Sequence, residues 1–167
     1  MNFERKIPEG DGIEREVCVT CGYVAYENPK IVVGTVVAHE GKVLLCKRAI
    51  EPRLGFWTLP AGYMELHETP EEGAKREAFE EAEARIIIEG LLGVYTVKPL
   101  SQVQLLFRAR FEGEPKFSAG VETLELGLFA WEEIPWEEIA FPSVKWVLDL
   151  WRDGWDAPLK ETAREIG

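Results

Sequence analysis

The chain has 167 residues, 46% of them apolar and 11% aromatic, and a net charge of −11. This length and composition suit one domain with a sizeable core and exclude a disordered chain. The acidic balance argues against a nonspecific nucleic-acid or anionic-membrane binder, and no apolar run approaches the roughly 18 residues of a membrane helix.

Residues 1–30 read as a loop-rich segment, with "PEGDG", the pair Cys18-x-x-Cys21 and "YENPK". The opening "MNFERKIPEGDG" has no apolar stretch, so it is not a secretory signal. With three cysteines and no even disulfide framework, the expected location is a reducing cytoplasm.

From Ile31 the texture changes. "KIVVGTVVAHEGKVLLCKR" predicts two strands joined at His39-Glu40-Gly41 as an antiparallel hairpin. A short strand is expected around Trp57–Leu59, with Trp57 packed under the Leu59-Pro60-Ala61-Gly62 loop. Thr69-Pro70-Glu71-Glu72 is a capping box with proline at the first helical position, predicting a helix from Pro70 to Ala82. "RIIIEGLLGVYTV" predicts one strand or two, with bulges at Gly90 and Gly93. "QVQLLFRARF" alternates as a half-buried strand should. "LELGLFAWEEIP" gives another strand. A last helix starts at a Pro142/Ser143 cap and ends at Gly154, with Val144, Val147, Leu148 and Trp151 on one side. The charged tail 156–167 is expected to fray. Strands and helices in this order imply an α/β fold with a mixed, largely antiparallel sheet.

The chemistry concentrates between Gly62 and Ala84, where eight of 23 residues are glutamate. Those near the helix start complement its dipole. Glu77, Glu80 and Glu81 sit instead toward the C-terminal half, on one patch at i, i+3 and i, i+4 spacing. A hard divalent cation would neutralise them, although a charge run alone more often marks a solvated helix face.

The spacing resembles the Nudix box, G-x5-E-x7-R-E-U-x-E-E-x-G-U. Gly62, Glu68, Arg76, Glu77, Glu80 and Glu81 stand at six of its seven lettered positions. Glu83 replaces the last glycine, so either Glu83 takes a left-handed conformation or the helix runs on. Over roughly residues 7–150 the chain resembles Nudix hydrolases related to plant chloroplast FAD pyrophosphatase. The resemblance implies an α/β/α sandwich spanning 31–155 and Mg²⁺-dependent (or Mn²⁺-dependent) cleavage of a nucleotide diphosphate such as FAD or ADP-ribose. It further implies metal binding by Glu77, Glu80, Glu81 and the Ala61 carbonyl, with Arg76 and Glu68 as an orienting pair. Glu80 is the first choice for holding the attacking water, followed by Glu122; Glu125 is the other loop candidate. Relatives of this kind imply a homodimer, and Trp146, Trp151 and Trp155 offer aromatic surface for one.

Arg48 and Arg53 are candidate phosphate contacts and Tyr63 a candidate stacking residue, with Lys47, Tyr95 and Phe107 weaker ones. Related NADH pyrophosphatases carry S-Q-P-W-P-F-P-x-S after the box; here only Ser101-Gln102 matches. NADH and nucleoside-triphosphate pyrophosphatases, and a nucleotide sensor that does not hydrolyse, are the alternatives. Cys18 and Cys21 form half of a zinc ribbon, relatives carrying a second pair upstream, so no complete structural Zn²⁺ site is expected; Cys46 reads as a packing residue.

Overall fold

The computed structural model describes residues 2–153 and 163–166. Eleven strands and two α-helices appear in the order β1 (Phe3–Lys6), β2 (Arg15–Cys18), β3 (Val24–Ala25), β4 (Lys30–His39), β5 (Lys42–Arg48), β6 (Trp57–Thr58), β7 (Ala61–Tyr63), α1 (Pro70–Ala82), β8 (Ile86–Val97), β9 (Gln102–Phe111), β10 (Thr123–Ala130), α2 (Pro142–Arg152) and β11 (Ala163–Ile166). The main sheet runs β10-β5-β4-β9-β8-β11, with β6 on β5 and β7 on β4. Pairs β4–β9 and β8–β11 are parallel and the others antiparallel, the mixed sheet expected.

Alternation along the inner strands supplies both layers of core. Val37, Leu44 and Ala109 face α1 through Ala78 and Ala82, while Val36, Leu45 and Leu106 face α2 through Val144, Val147 and Leu148. The small residues of α1 let the helix lie close on the sheet. Glu40 and Gly41 make the hairpin turn, both at positive φ, between partners His39 and Lys42. β8 is one strand with register shifts beside Gly90 and Gly93. β9 is half-buried as expected, with Phe107, Ala109 and Phe111 buried and Arg110 exposed, and it lies inside the sheet between β4 and β8.

Several expectations need correction. The N-terminal segment is not merely loop: β1, β2 and β3 form their own antiparallel sheet, because short alternating stretches pair across two turns. Within the tail, Ala163–Ile166 pairs in parallel with Val94–Val97 instead of fraying. α2 starts after Phe141, which offers no side-chain cap, and Ser143 lies inside the first turn. Gly154 and Trp155 lie outside the described residues, so the predicted helix end and that part of the predicted dimer surface do too.

Candidate functional site

The segment from Leu59 into β7 packs against α1, and the site is built where they meet. Thr69 Oγ1 accepts from the Glu72 N–H at 3.2 Å, and Glu72 Oε2 accepts from the Thr69 N–H at 2.8 Å, so the capping box fixes where α1 begins. At the other end Glu83 adopts φ +48°, the left-handed alternative, and its N–H donates to Phe79 O.

What holds that end was not legible in the sequence. The loop before β10 docks on it: the Ser118 N–H donates to Ala82 O at 2.9 Å, the Gly120 N–H to Glu81 O at 3.0 Å, and the Ser118 hydroxyl to Glu83. These bonds satisfy carbonyls that a helix end leaves open. A Cβ on Gly120 would lie 1.8 Å from Glu80 O, so only glycine fits there. Docking brings Glu122 into the same cavity as the α1 carboxylates.

That cavity has a volume of about 770 Å³ and is lined by Ala61, Glu77, Glu80, Glu81, Glu122 and Arg48, among others. Arg76 organises the carboxylates. Its Nε and Nη2 donate to Glu68 at 3.1 and 2.8 Å, and Nη1 donates to Glu77 at 2.7 Å and to Glu80 at 2.9 Å. Nη2 also donates to Tyr63 O at 3.0 Å, tying the helix to β7. Glu68 is held below the usual carboxylate range by Arg76, and Arg76 is itself raised. Gly62 is required here, since a Cβ would come within 2.4 Å of the Glu77 carboxylate.

Glu77 and Glu81 are both buried. Burial pushes Glu81 up to about 8, with Glu77 and Glu122 adding repulsion, against which the Ala61 N–H at 3.1 Å and the Arg48 charge act only in part. Glu77 is raised as well, again chiefly by burial. Among the described residues no group of three or more His, Cys, Asp or Glu is disposed to hold a metal ion as it stands. Arg76 Nη1 pairs with both Glu77 and Glu80. One guanidinium nevertheless faces Glu68, Glu77 and Glu80, and Glu81 has no ion pair among the described residues. A buried carboxylate pair of which Glu77 shares one guanidinium with Glu68 and Glu80, and Glu81 has no ion pair among the described residues, is a donor set suited to a hard divalent cation.

The other predicted residues separate. Arg48 lines the cavity, its Nε donating to Pro52 O at 2.8 Å and its guanidinium lying 5.3 Å from the Phe141 ring centre. Tyr63 lines it too, half exposed, its hydroxyl accepting from Gln102 Nε2 at 2.9 Å. Arg53 does not line it and stacks on Phe56 instead. Lys47 pairs with Glu125 across β5 and β10, which removes both from the site. Tyr95 and Phe107 are core residues, 2% and 4% exposed, and are not stacking platforms. Trp57 and Cys46 are buried packing residues, as expected. Sequence reasoning missed Gln102, Gln104, Phe141 and Ser143, all of which line the cavity. The signal for the glutamines was polar residues alternating on a strand that proves to be internal.

An α/β/α sandwich with a Nudix box at one end of a deep cavity defines a class. The chain matches the NUDIX domain over residues 28–148 and the zinc-ribbon family described as Nudix N-terminal over residues 1–27. A crystal structure of a NUDIX hydrolase from Nitrosomonas europaea is 44% identical, covering 99% of this chain and 94% of that one, with a TM-score of 0.91. An ADP-ribose pyrophosphatase of Methanocaldococcus jannaschii is 30% identical over 79% of this chain and 80% of its own length. A MutT-like protein of Streptomyces ambofaciens is 42% identical over 49% of this chain; the match spans only 51% of that relative. The chain belongs to the Nudix hydrolase family. No described helix is long and apolar enough to cross a membrane.

Proposed function

We propose that the protein is a divalent-metal-dependent diphosphatase that cleaves the diphosphate of a nucleotide cofactor, releasing AMP and a second phosphorylated product. The observation that carries this reading is the pair of buried carboxylates, Glu77 and Glu81, left without enough positive charge at the edge of the 770 Å³ cavity. Glu77, Glu80, Glu81 and the Ala61 carbonyl would hold Mg²⁺ or Mn²⁺. When bound, the metal supplies charge neutralisation of the diphosphate and activation of water.

Arg76 and Glu68 position those carboxylates: Arg76 is anchored on Glu68 and donates to Glu77 and Glu80, the side chains that would hold the cation. Glu80 orients the attacking water. Glu122, carried in by the loop docked on α1, is next in line as proton acceptor. Arg48 offers its guanidinium to phosphate oxygens, which suit that fork. Tyr63 stacks on the base or flavin ring.

ADP-ribose is favoured by the Methanocaldococcus relative, FAD by the likeness to plant chloroplast FAD pyrophosphatase. The test is turnover with Mg²⁺ of FAD, ADP-ribose, NADH and nucleoside triphosphates, with products identified by mass. AMP with FMN, or AMP with ribose 5-phosphate, supports the reading and names the substrate. Binding without any cleavage would make the protein a nucleotide sensor and overturn it.

A further inference from the structure

The cavity has a second polar region that the metal-site reading does not use. α2 begins at Pro142, which contributes no N–H, and its N-cap Phe141 has no side-chain acceptor to offer. The Val144 N–H turns back to Phe141 O at 3.1 Å. The Ser143 N–H, in the first turn, finds no acceptor among the described residues. Ser143 is 4% exposed, and its hydroxyl likewise makes no hydrogen bond among the described residues, yet the residue lines the cavity. The Ser143 hydroxyl keeps contact with the cavity space, so it and the helix-terminal N–H are donors that a ligand there can use.

Arg48 lines the same cavity. Its stem is fixed by the Nε bond to Pro52 O, and its guanidinium rests against the ring of Phe141, the residue that starts α2. Both Nη groups remain unused, and Arg48 forms no ion pair among the described residues. A guanidinium is thereby held next to the positive end of an 11-residue helix. Two positive elements side by side, with unused donors facing one cavity, form a receptor for an oxyanion.

We propose that the α2 N-terminus, Ser143 and Arg48 form a docking site for a phosphate group. The Ser143 N–H and Oγ–H and the Arg48 Nη groups donate to its oxygens, and Phe141 holds the guanidinium in place. The anion site stands on this geometry alone; its assignment to one phosphate of the substrate rests on the diphosphatase reading above. It gives the cavity a division of labour. The α1 carboxylates take one end of the diphosphate through a cation, and the α2 terminus takes a phosphate by direct hydrogen bonds.

The probe is inorganic phosphate added to the full chain in EDTA, with ionic strength matched by chloride. At ten times its dissociation constant, phosphate should raise Tm by about 3–6 °C. Ser143→Asp puts a carboxylate where the anion sits and where the helix dipole favours it. This variant should be at least as stable as wild type without phosphate and should lose the phosphate response. Ser143→Ala, which removes only the hydroxyl, should weaken phosphate binding by about fivefold, and Arg48→Gln more. Should Ser143→Asp fail to fold, those two variants decide. No shift with wild type, or an undiminished shift in Ser143→Ala and Arg48→Gln, overturns the site. Phosphate binding that the variants abolish, in a protein that cleaves no nucleotide diphosphate, would leave the anion site standing and remove the diphosphatase reading. Cleavage without any phosphate response would do the reverse.

Discussion

Replacing Glu81 by glutamine should stabilise the metal-free protein, and the gain should depend on pH. A glutamate ionises near 4.5 in the unfolded chain, whereas burial and the neighbouring Glu77 and Glu122 push Glu81 up to about 8 in the fold. Between those values the unfolded state has lost a proton that the folded state still holds. Stability therefore falls as pH rises from about 4.5 to about 8, by about 1.4 kcal/mol per unit at most. The full span would amount to about 5 kcal/mol, and relaxation and water penetration reduce it; about 2 kcal/mol is a fair expectation at pH 8. Glutamine keeps an oxygen to accept from the Ala61 N–H, as Glu81 does at 3.1 Å, and carries no charge. For a chain of this size the gain corresponds to Tm higher by about 4–8 °C in EDTA at pH 8, shrinking toward pH 5. Mg²⁺ should raise the wild-type Tm and leave the variant nearly unmoved. Thermal unfolding of both proteins, with EDTA and with Mg²⁺, at pH 5.5 and 8 is the assay. A variant less stable than wild type in EDTA at pH 8, or a gap that ignores pH, would refute the argument that Glu81 is an uncompensated buried acid.

Gly62→Ala places a methyl 2.4 Å from the Glu77 carboxylate; it should cost about 1–3 kcal/mol and diminish the Mg²⁺-induced rise in Tm, read by the same scans. Gly120→Ala should undock the loop from the C-terminal end of α1, since the added atom meets Glu80 O at 1.8 Å. Hydrogen exchange at the Ser118 and Gly120 amides would rise sharply, and unchanged protection would count against the docking. Thr69→Ala removes half of the capping box and should lower stability by about 1 kcal/mol in denaturant titration. Arg53→Ala should leave kcat/KM within about twofold, because Arg53 stacks on Phe56 outside the cavity, whereas Arg48→Ala should raise KM by about tenfold, the loss expected for one charge-assisted contact.

The local pattern of this chain was open to reading wherever the cause is local. The start of α1 follows from Thr69, Pro70 and Glu72, and the structure places it where the capping box does. The convergence of Glu77, Glu80 and Glu81 on one patch is a consequence of helical spacing, and the pairing of Arg76 with Glu68 accompanies the box. The hairpin turn at Glu40-Gly41 and the apolar face of α2 are likewise written in residues a few positions apart.

Tertiary structure decided everything that depends on partners distant in the chain. Whether Glu81 is a solvated surface charge or a buried acid depends on how the Leu59–Gly62 segment packs against α1, not on its neighbours in sequence. The sequence ranked Glu122 ahead of Glu125 without a local cause to separate them; the docked loop places Glu122 in the cavity, and the β5 register gives Glu125 to Lys47. Arg48 and Arg53 differ only in where the loop between them carries the chain. Ser143 reads as a helix cap, yet Phe141 takes that position and leaves the serine hydroxyl facing the cavity. A sequence specifies which side chains share a helix face or strand face because backbone periodicity is fixed. Which faces then meet, and which polar groups they leave unpaired, is set by packing that links residues far apart along the chain.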